Sequence, residues 1–236
     1  MTLEGTNTWV LADAGSDAVV LVDPGPALPR HVEAVAAEVG HRRVARILLT
    51  HGHPDHAEGA AQFAGRFRAP VAALDPAHRL GDEGLVGGDV VAAAGVEIEV
   101  VATPGHTADS LTFRLREDGA LLTGDTVLGR GTTVVAHPEG RLEDYLASLR
   151  RLGDLAAGDR HVVLPGHGPA LEDAAAAAAA YLDHRRERLE QVRAVLEAGA
   201  VTADDVVAEV YADVPRAVWP AARLSVLAQI AYLRGE

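Results

Sequence analysis

The chain has 236 residues, 48% of them apolar and 4% aromatic, no cysteine, and a formal net charge of −13. That length buries a substantial core, and one large domain with a small appendage is its natural division. The missing cysteine excludes disulfides and thiolate chemistry, and because all 21 cationic residues are arginine, lysine Schiff-base or nucleophile chemistry is excluded too.

Strong acidity argues against a chain coated with nucleic acid, since phosphate contacts need cationic surface. A local arginine groove would still be compatible with it. No stretch approaches the roughly 20 uninterrupted apolar residues of a membrane span. The opening residues carry neither the basic region nor the apolar core of a signal peptide. A cytoplasmic protein with no membrane contact is therefore expected.

In chain order, Thr8 to Leu11 and Val19 to Val22 read as a hairpin pair, and Arg30 to Val39 as a helix. Val44 to Leu49 reads as a strand, His56 to Phe67 as a helix, and Val71 to Leu74 as a short strand. Val96 to Val101, Leu111 to Leu115, Leu121 to Thr123 and His161 to Leu164 follow as strands, with a helix Leu142 to Leu152. Gly, Pro and Asp turn signals bound these β-rich runs. Two sheets with helices outside account for this order better than a doubly wound pattern.

The composition shifts near residue 170. Ala174 to Ala180 is an unbroken alanine run, which favours helix. Helices are expected over Ala174 to Glu197, over Ala203 to Tyr211 with Thr202 as N-cap, and over Pro215 to Leu233. The expected division is residues 1–170 and a helical, winged-helix-like unit 171–236.

The densest chemistry lies in Thr50-His51-Gly52-His53-Pro54-Asp55-His56, between an apolar strand and a helix. Three crowded neutral imidazoles gain little structurally, because each needs partners for both ring nitrogens. A divalent metal accepts those lone pairs directly. Polar residues recur beside turn-forming ones at three later strand ends: Thr103-Pro104-Gly105-His106-Thr107, Thr123-Gly124-Asp125-Thr126 and Leu164-Pro165-Gly166-His167-Gly168. A lone histidine at a turn is more often capped or on the surface, but the joint spacing points to ligands.

The inventory suffices for two metals. One site would take His51, His53 and His106, and the other Asp55, His56 and His167, with Asp125 bridging through its two oxygens. Histidine with carboxylate suits zinc and leaves room for water; iron or manganese would also accept mixed N and O donors. Asp23 reads as a turn residue or as support behind the ligands, and Asn7 as near the metals or in a turn.

With its His-x-His-x-Asp-His signature and all seven ligand positions in order, the chain resembles the metallo-β-lactamase superfamily of dinuclear hydrolases. The resemblance implies an α+β fold, an αββα four-layer sandwich with the metals at one edge. Finer features resemble the branch of β-lactamase-like proteins that includes a mitochondrial single-strand endoribonuclease. They are the opening Met1-Thr2-Leu3-Glu4-Gly5-Thr6-Asn7-Thr8, Gly124-Asp125-Thr126-Val127-Leu128-Gly129, the Tyr145 to Leu149 segment, His184-Arg185 with Arg188, and the helical tail. Relatives of that kind carry a strand ahead of the Met-Thr-Leu segment. The natural start is accordingly expected upstream of Met1, which would leave an open sheet edge here. His137-Pro138-Glu139-Gly140 looks like a small insertion beside the cleft.

Two close metals lower the pKa of a shared water toward neutrality, so a bridging hydroxide is the expected nucleophile. Asp55 is the expected catalytic carboxylate, binding one metal, orienting the hydroxide and shuttling a proton. The leading expectation is a zinc-dependent hydrolase of thioester, ester or lactam bonds in small molecules. The alternative is a metal-dependent nuclease acting on single-stranded RNA, against which acidity and scarce aromatics weigh. An iron oxidoreductase or a non-catalytic binding module would be expected to have lost ligands.

His31, His41, His78 and His161 sit among charged or turn residues, where surface placement is expected. His184, Arg185 and Arg188 could meet a phosphate, but alternation with Asp183, Glu187 and Glu190 favours i,i+4 pairs. Leu224, Leu227, Ile230 and Ala231 form a core stripe at helical spacing.

Overall fold

A computed structural model of the chain describes residues 5–81, 84–158 and 160–236. Met1, Thr2, Leu3 and Glu4 of the opening segment lie outside the described residues. Trp9–Leu11 (β1) and Ala18–Val22 (β2) pair antiparallel, the hairpin the sequence predicts. Pro29–Val39 (α1) follows, with proline in its first turn and Gly40 closing it at φ 62°. Arg43–Leu48 (β3) then lies parallel to β2.

Pro54–Ala57 (α2) and Ala60–Phe67 (α3) replace the single helix expected from His56 to Phe67. The break has a tertiary cause. The Gly59 N–H donates to the Gly25 carbonyl at 2.8 Å instead of continuing the helical ladder. A Cβ on Gly59 would stand 2.8 Å from that same oxygen, so the close approach requires glycine. Val71–Ala72 (β4) completes a four-stranded sheet in the order β1-β2-β3-β4.

Val90–Ala93 (β5) is a strand the sequence reading missed. It forms a hairpin with Val96–Ala102 (β6), turning through Ala94 and Gly95, both at positive φ. Leu111–Leu115 (β7), Leu121–Gly124 (β8) and Val163–Pro165 (β9) extend this second sheet in the order β5-β6-β7-β8-β9. Leu142–Leu155 (α4) lies between β8 and β9 in the chain.

The layers follow from which side chains each strand sends to which side. All of β2 is buried. Its Val19 and Leu21 pack with Val32, Val35 and Val39 of α1 and Phe63 of α3. Its Val20 and Val22 instead meet Ile98, Val100, Leu111, Phe113 and Leu122 of the other sheet. A strand covered on both faces needs an unbroken apolar run, which Ala-Val-Val-Leu-Val supplies. On the far side, Leu121 and Val163 pack under Tyr145, Leu149 and Leu152 of α4. The result is an αββα sandwich, as expected.

Ala174–Glu197 (α5), Ala203–Val210 (α6) and Trp219–Arg234 (α7) form the C-terminal helices. Asp173 caps α5 and Thr202 caps α6 through a reciprocal pair with Asp205. The helix expected from Pro215 begins instead at Trp219, after a 3-10 turn over Arg216–Val218. Pro220 sits in its first turn, where a missing N–H goes unnoticed. Tyr181 and Leu189 of α5 and Ala228 of α7 join the core under α4, while Val192, Val206, Val207, Ala222, Val226 and Ile230 form a second cluster. Leu224 is exposed, so the buried stripe of α7 runs through Ala222, Val226 and Ile230 rather than through Leu224.

Candidate metal centre

The seven predicted residues converge at one edge of the sandwich. His51, His53, Asp55 and His56 follow β3 of the first sheet. His106 follows β6, Asp125 follows β8 and His167 follows β9, each after a strand of the second sheet. Donor atoms lie within 4.8 Å of one another in three groups: His51, His53 and His106; His51, His56 and Asp125; Asp55, His56 and His167.

The outward hydrogen bonds fix which nitrogen of each ring faces inward. His106 Nδ1–H donates to the Val134 carbonyl at 2.7 Å, and His167 Nδ1–H donates to the Gly5 carbonyl at 2.8 Å. Carbonyls only accept, so these nitrogens must carry the proton. His56 Nδ1–H donates to Asp23 Oδ2 at 2.8 Å. Thr50 Oγ1 donates to Asp23 Oδ2 at 2.7 Å and so accepts from His51 Nδ1, 3.1 Å away. Four rings therefore turn Nε2 inward.

His53 is reversed. Its Nε2 faces Glu139 Oε1 at 3.4 Å, and its Nδ1 lies 3.2 Å from His51 Nε2 and 3.0 Å from His106 Nε2. Glu139 belongs to the segment expected beside the cleft. Asp125 divides its oxygens between the two halves: Oδ2 is 3.7 Å from His106 Nε2, and Oδ1 is 3.3 Å from His56 Nε2 and 3.4 Å from His167 Nε2. Asp55 Oδ2 lies 3.3 Å from His167 Nε2.

Several observations fit a bound cation here. Five ring nitrogens crowd together with few protons to share among them, an arrangement that favours a shared electron-pair acceptor. Asp125 Oδ1 is buried without a well-formed hydrogen bond among the described residues. Gly166 leaves a cradle: a Cβ there would stand 2.6 Å from His56 Cε1 and 2.8 Å from Asp125 Oδ1.

The charges agree. Burial, with the imidazoles of His56 and His106, holds His51 well below the ordinary histidine value, and burial lowers His106. Burial works against a charged His56 as well, but Asp23 and Asp125 outweigh it and raise it to about 10. His167 is raised to about 9, because Asp125 and Asp55 overcome its desolvation. Burial opposes ionisation of Asp125, yet its contacts with His167 and His56 hold it well below the usual carboxylate range. The centre thus favours positive charge placed between Asp125 and the inward Nε2 atoms.

Behind the donors stands a supporting layer. Asp23 also accepts the Thr50 N–H at 2.8 Å, so one buried carboxylate fixes His56 and the strand end bearing His51. Asn7 Nδ2 donates to the carbonyls of Pro165 and Gly168, at 3.0 and 2.8 Å, and staples the turn that carries His167.

Other histidines depart from the surface expectation. His31 is half-buried, 2.8 Å from Thr8 Oγ1 and tilted on Phe63. His78 leans over Gly52, where a Cβ would overlap its Nε2, so Gly52 makes room for that ring. The i,i+4 pairs expected for Arg185 and Arg188 are replaced by longer reaches. Arg185 turns inward to Thr133 and Tyr145, and Arg188 donates to the Val210 carbonyl at 2.9 Å over the Tyr211 ring. The ion pairs along α5 fall instead to Arg186 with Asp183 and Arg193 with Glu190.

Two facing sheets between helix layers, with imidazoles and carboxylates meeting at one edge, define a metal-dependent hydrolase fold. The chain belongs to the metallo-beta-lactamase superfamily, whose family model matches residues 1–167. Residues 202–234 match the model described as beta-lactamase associated winged helix domain. A beta-lactamase-like protein 2 homolog from Caenorhabditis elegans is 34% identical over 231 residues, 92% of this chain and 74% of that protein. An atrochrysone carboxyl ACP thioesterase from Aspergillus fumigatus is 33% identical over 202 residues, covering 84% of this chain and 61% of its own length. The crystal structure of a metallo-beta-lactamase family protein from Thermus thermophilus superposes with a TM-score of 0.81 at 28% identity, covering 98% of this chain and 88% of that one. The β-lactamase-like branch resemblance is thus borne out, and no helix of the described residues is long and apolar enough to cross a membrane.

Proposed function

We propose that the chain is a dinuclear zinc hydrolase acting on the acyl carbon of a small-molecule thioester. The observation that carries this reading is the pattern of outward N–H bonds, which leaves five imidazole lone pairs facing two carboxylates. His51 Nε2, His53 Nδ1, His106 Nε2 and Asp125 Oδ2 would hold one ion. Asp55 Oδ2, His56 Nε2, His167 Nε2 and Asp125 Oδ1 would hold the other. Zinc held there would supply a water of near-neutral pKa and Lewis-acid polarisation of the acyl oxygen. Iron or manganese would also suit this mixed donor set.

The side chains do the rest. Asp55, half-buried at the first turn of α2, orients the attacking water and takes its proton at a carboxylate oxygen. It then returns that proton to the departing thiolate. Asp23, Thr50 and the carbonyls of Val134 and Gly5 hold the imidazoles still, so little reorganisation accompanies the reaction.

The thioester is favoured within the carbonyl class by the thioesterase among the relatives. Cleavage of single-stranded RNA stands second, because Arg185 and Arg188 are engaged by protein groups rather than turned toward a phosphate. We also propose the division at residue 170. It is supported by the family boundaries, although α5 joins the core under α4 from Ala174 as far as Leu189. Metal analysis of the purified protein, with thioester, lactone, β-lactam and RNA substrates side by side, tests the reading. Two zinc per chain with thioester turnover is expected. A protein that cleaves RNA and no carbonyl substrate would overturn the substrate class.

A further inference from the structure

The segment from residue 126 to residue 135 carries no candidate ligand, yet it grips two of them. Thr133 Oγ1 donates to the Asp125 carbonyl at 2.7 Å, fixing the backbone of the carboxylate placed between the two halves of the centre. The next residue, Val134, offers the carbonyl that sets the tautomer of His106. This segment has no regular secondary structure to hold its own shape.

Its shape is held by helices. Tyr145 of α4 donates its hydroxyl to the Thr126 carbonyl at 2.7 Å. Tyr181 of α5 clamps the middle: its hydroxyl accepts the Leu128 N–H at 3.0 Å and donates to the Gly131 carbonyl at 3.0 Å. One turn further along α5, the Arg185 guanidinium donates to the Thr133 carbonyl while lying 5.0 Å above the Tyr145 ring. Arg185 is 4% exposed, and among the described residues no carboxylate pairs with it. Its Nε finds no hydrogen bond there either.

A buried guanidinium without a carboxylate is a poor choice for packing alone, because an apolar side chain of similar volume would fill the space without desolvating a charge. What the cation adds is a directed, charge-assisted bond to the carbonyl of Thr133, the residue that holds Asp125. Its chain of contact to the centre is two hydrogen bonds long.

We propose that Tyr181 and Arg185 of α5 are positioning residues for the metal centre, acting through Thr133 and Val134 on Asp125 and His106. The C-terminal helical unit then completes the site instead of merely adjoining it. This inference rests on the two-metal reading above.

The test uses the full chain and cobalt(II), whose visible bands report coordination independently of turnover. Wild type, Tyr181→Phe, Arg185→Met and the control Arg186→Met are titrated with cobalt(II), and each metal-free chain is melted. Wild type and the exposed control should bind two equivalents with the same bands. Tyr181→Phe and Arg185→Met should lose roughly tenfold or more in affinity and show altered bands, the scale at which removing support behind a ligand acts. A purely structural role would lower the melting temperature and leave cobalt affinity and bands unmoved, which would overturn the proposal. If Arg185→Met does not fold, Tyr181→Phe, which deletes a single hydroxyl, decides by the same criterion. Wild type that binds no cobalt would instead sink the two-metal reading, and this inference with it.

Discussion

Asp23 and His56 are 33 positions apart, yet His56 Nδ1–H donates to Asp23 Oδ2 at 2.8 Å in a fully buried contact. Asp23 reaches it from a left-handed backbone at φ 52°, a conformation aspartate tolerates better than most residues. The same carboxylate takes two hydrogen bonds from Thr50. Every acceptor site that matters is engaged, so Asp23→Asn must turn an NH2 toward a donor. We expect metal affinity to fall roughly 10- to 100-fold, the usual cost of losing such support. Urea unfolding of the metal-free chain should show a loss of about 1–3 kcal/mol for the unsatisfied groups. Competition with a chromophoric chelator and urea melts measure both effects, and unchanged affinity would show that His56 needs no anchor.

Asp55 stands at the first turn of α2, beside His167. Asp55→Ala should abolish turnover while leaving the circular dichroism spectrum and the melting of the metal-free chain close to wild type. Full activity in the folded variant would remove Asp55 from its assigned role.

Gly166 is a steric probe of the centre. Its φ is ordinary, so alanine brings no backbone strain, only a methyl group 2.6 Å from His56 Cε1 and 2.8 Å from Asp125 Oδ1. Gly166→Ala should therefore reduce metal stoichiometry below wild type while secondary structure survives. Plasma emission spectrometry on the dialysed variant reads the outcome; wild-type metal content would mean that the cradle is wider in solution.

Metal removal should cost stability as well as activity. A ligand held only by the folded state stabilises it by about 4 kcal/mol at a thousandfold excess over its Kd. For a chain of this size that shift corresponds to roughly 10 °C in Tm. Calorimetry before and after chelation, followed by zinc readdition, checks it. An identical Tm in both states would argue that nothing at this edge binds metal.

The apolar run of β2, the cap at Thr202 and the seven candidate donors gathered at strand ends were legible because each is a local statement. Hydrophobic pattern, capping chemistry and ligand type are written within a few consecutive residues. The break between α2 and α3 was not legible, since it depends on a carbonyl of Gly25 that the chain brings to Gly59 from another turn. Strand β5 was hidden because Val-Val-Ala-Ala gains its strand character only beside β6. Arg185 looked like a surface charge because Asp183 and Glu187 flank it, and only packing of α5 on α4 shows that it faces inward.

The amino-acid sequence by itself determined which seven residues stand as candidate donors, through residue type and joint spacing, and two sheets with helices outside, through the order of its elements. The tertiary structure alone decided which nitrogen each imidazole turns inward, and that His53 is reversed. That choice belongs to hydrogen-bond acceptors far away in the chain, such as the Gly5 carbonyl behind His167 and Glu139 behind His53. Folding supplies those partners, and no spacing within the motif encodes them.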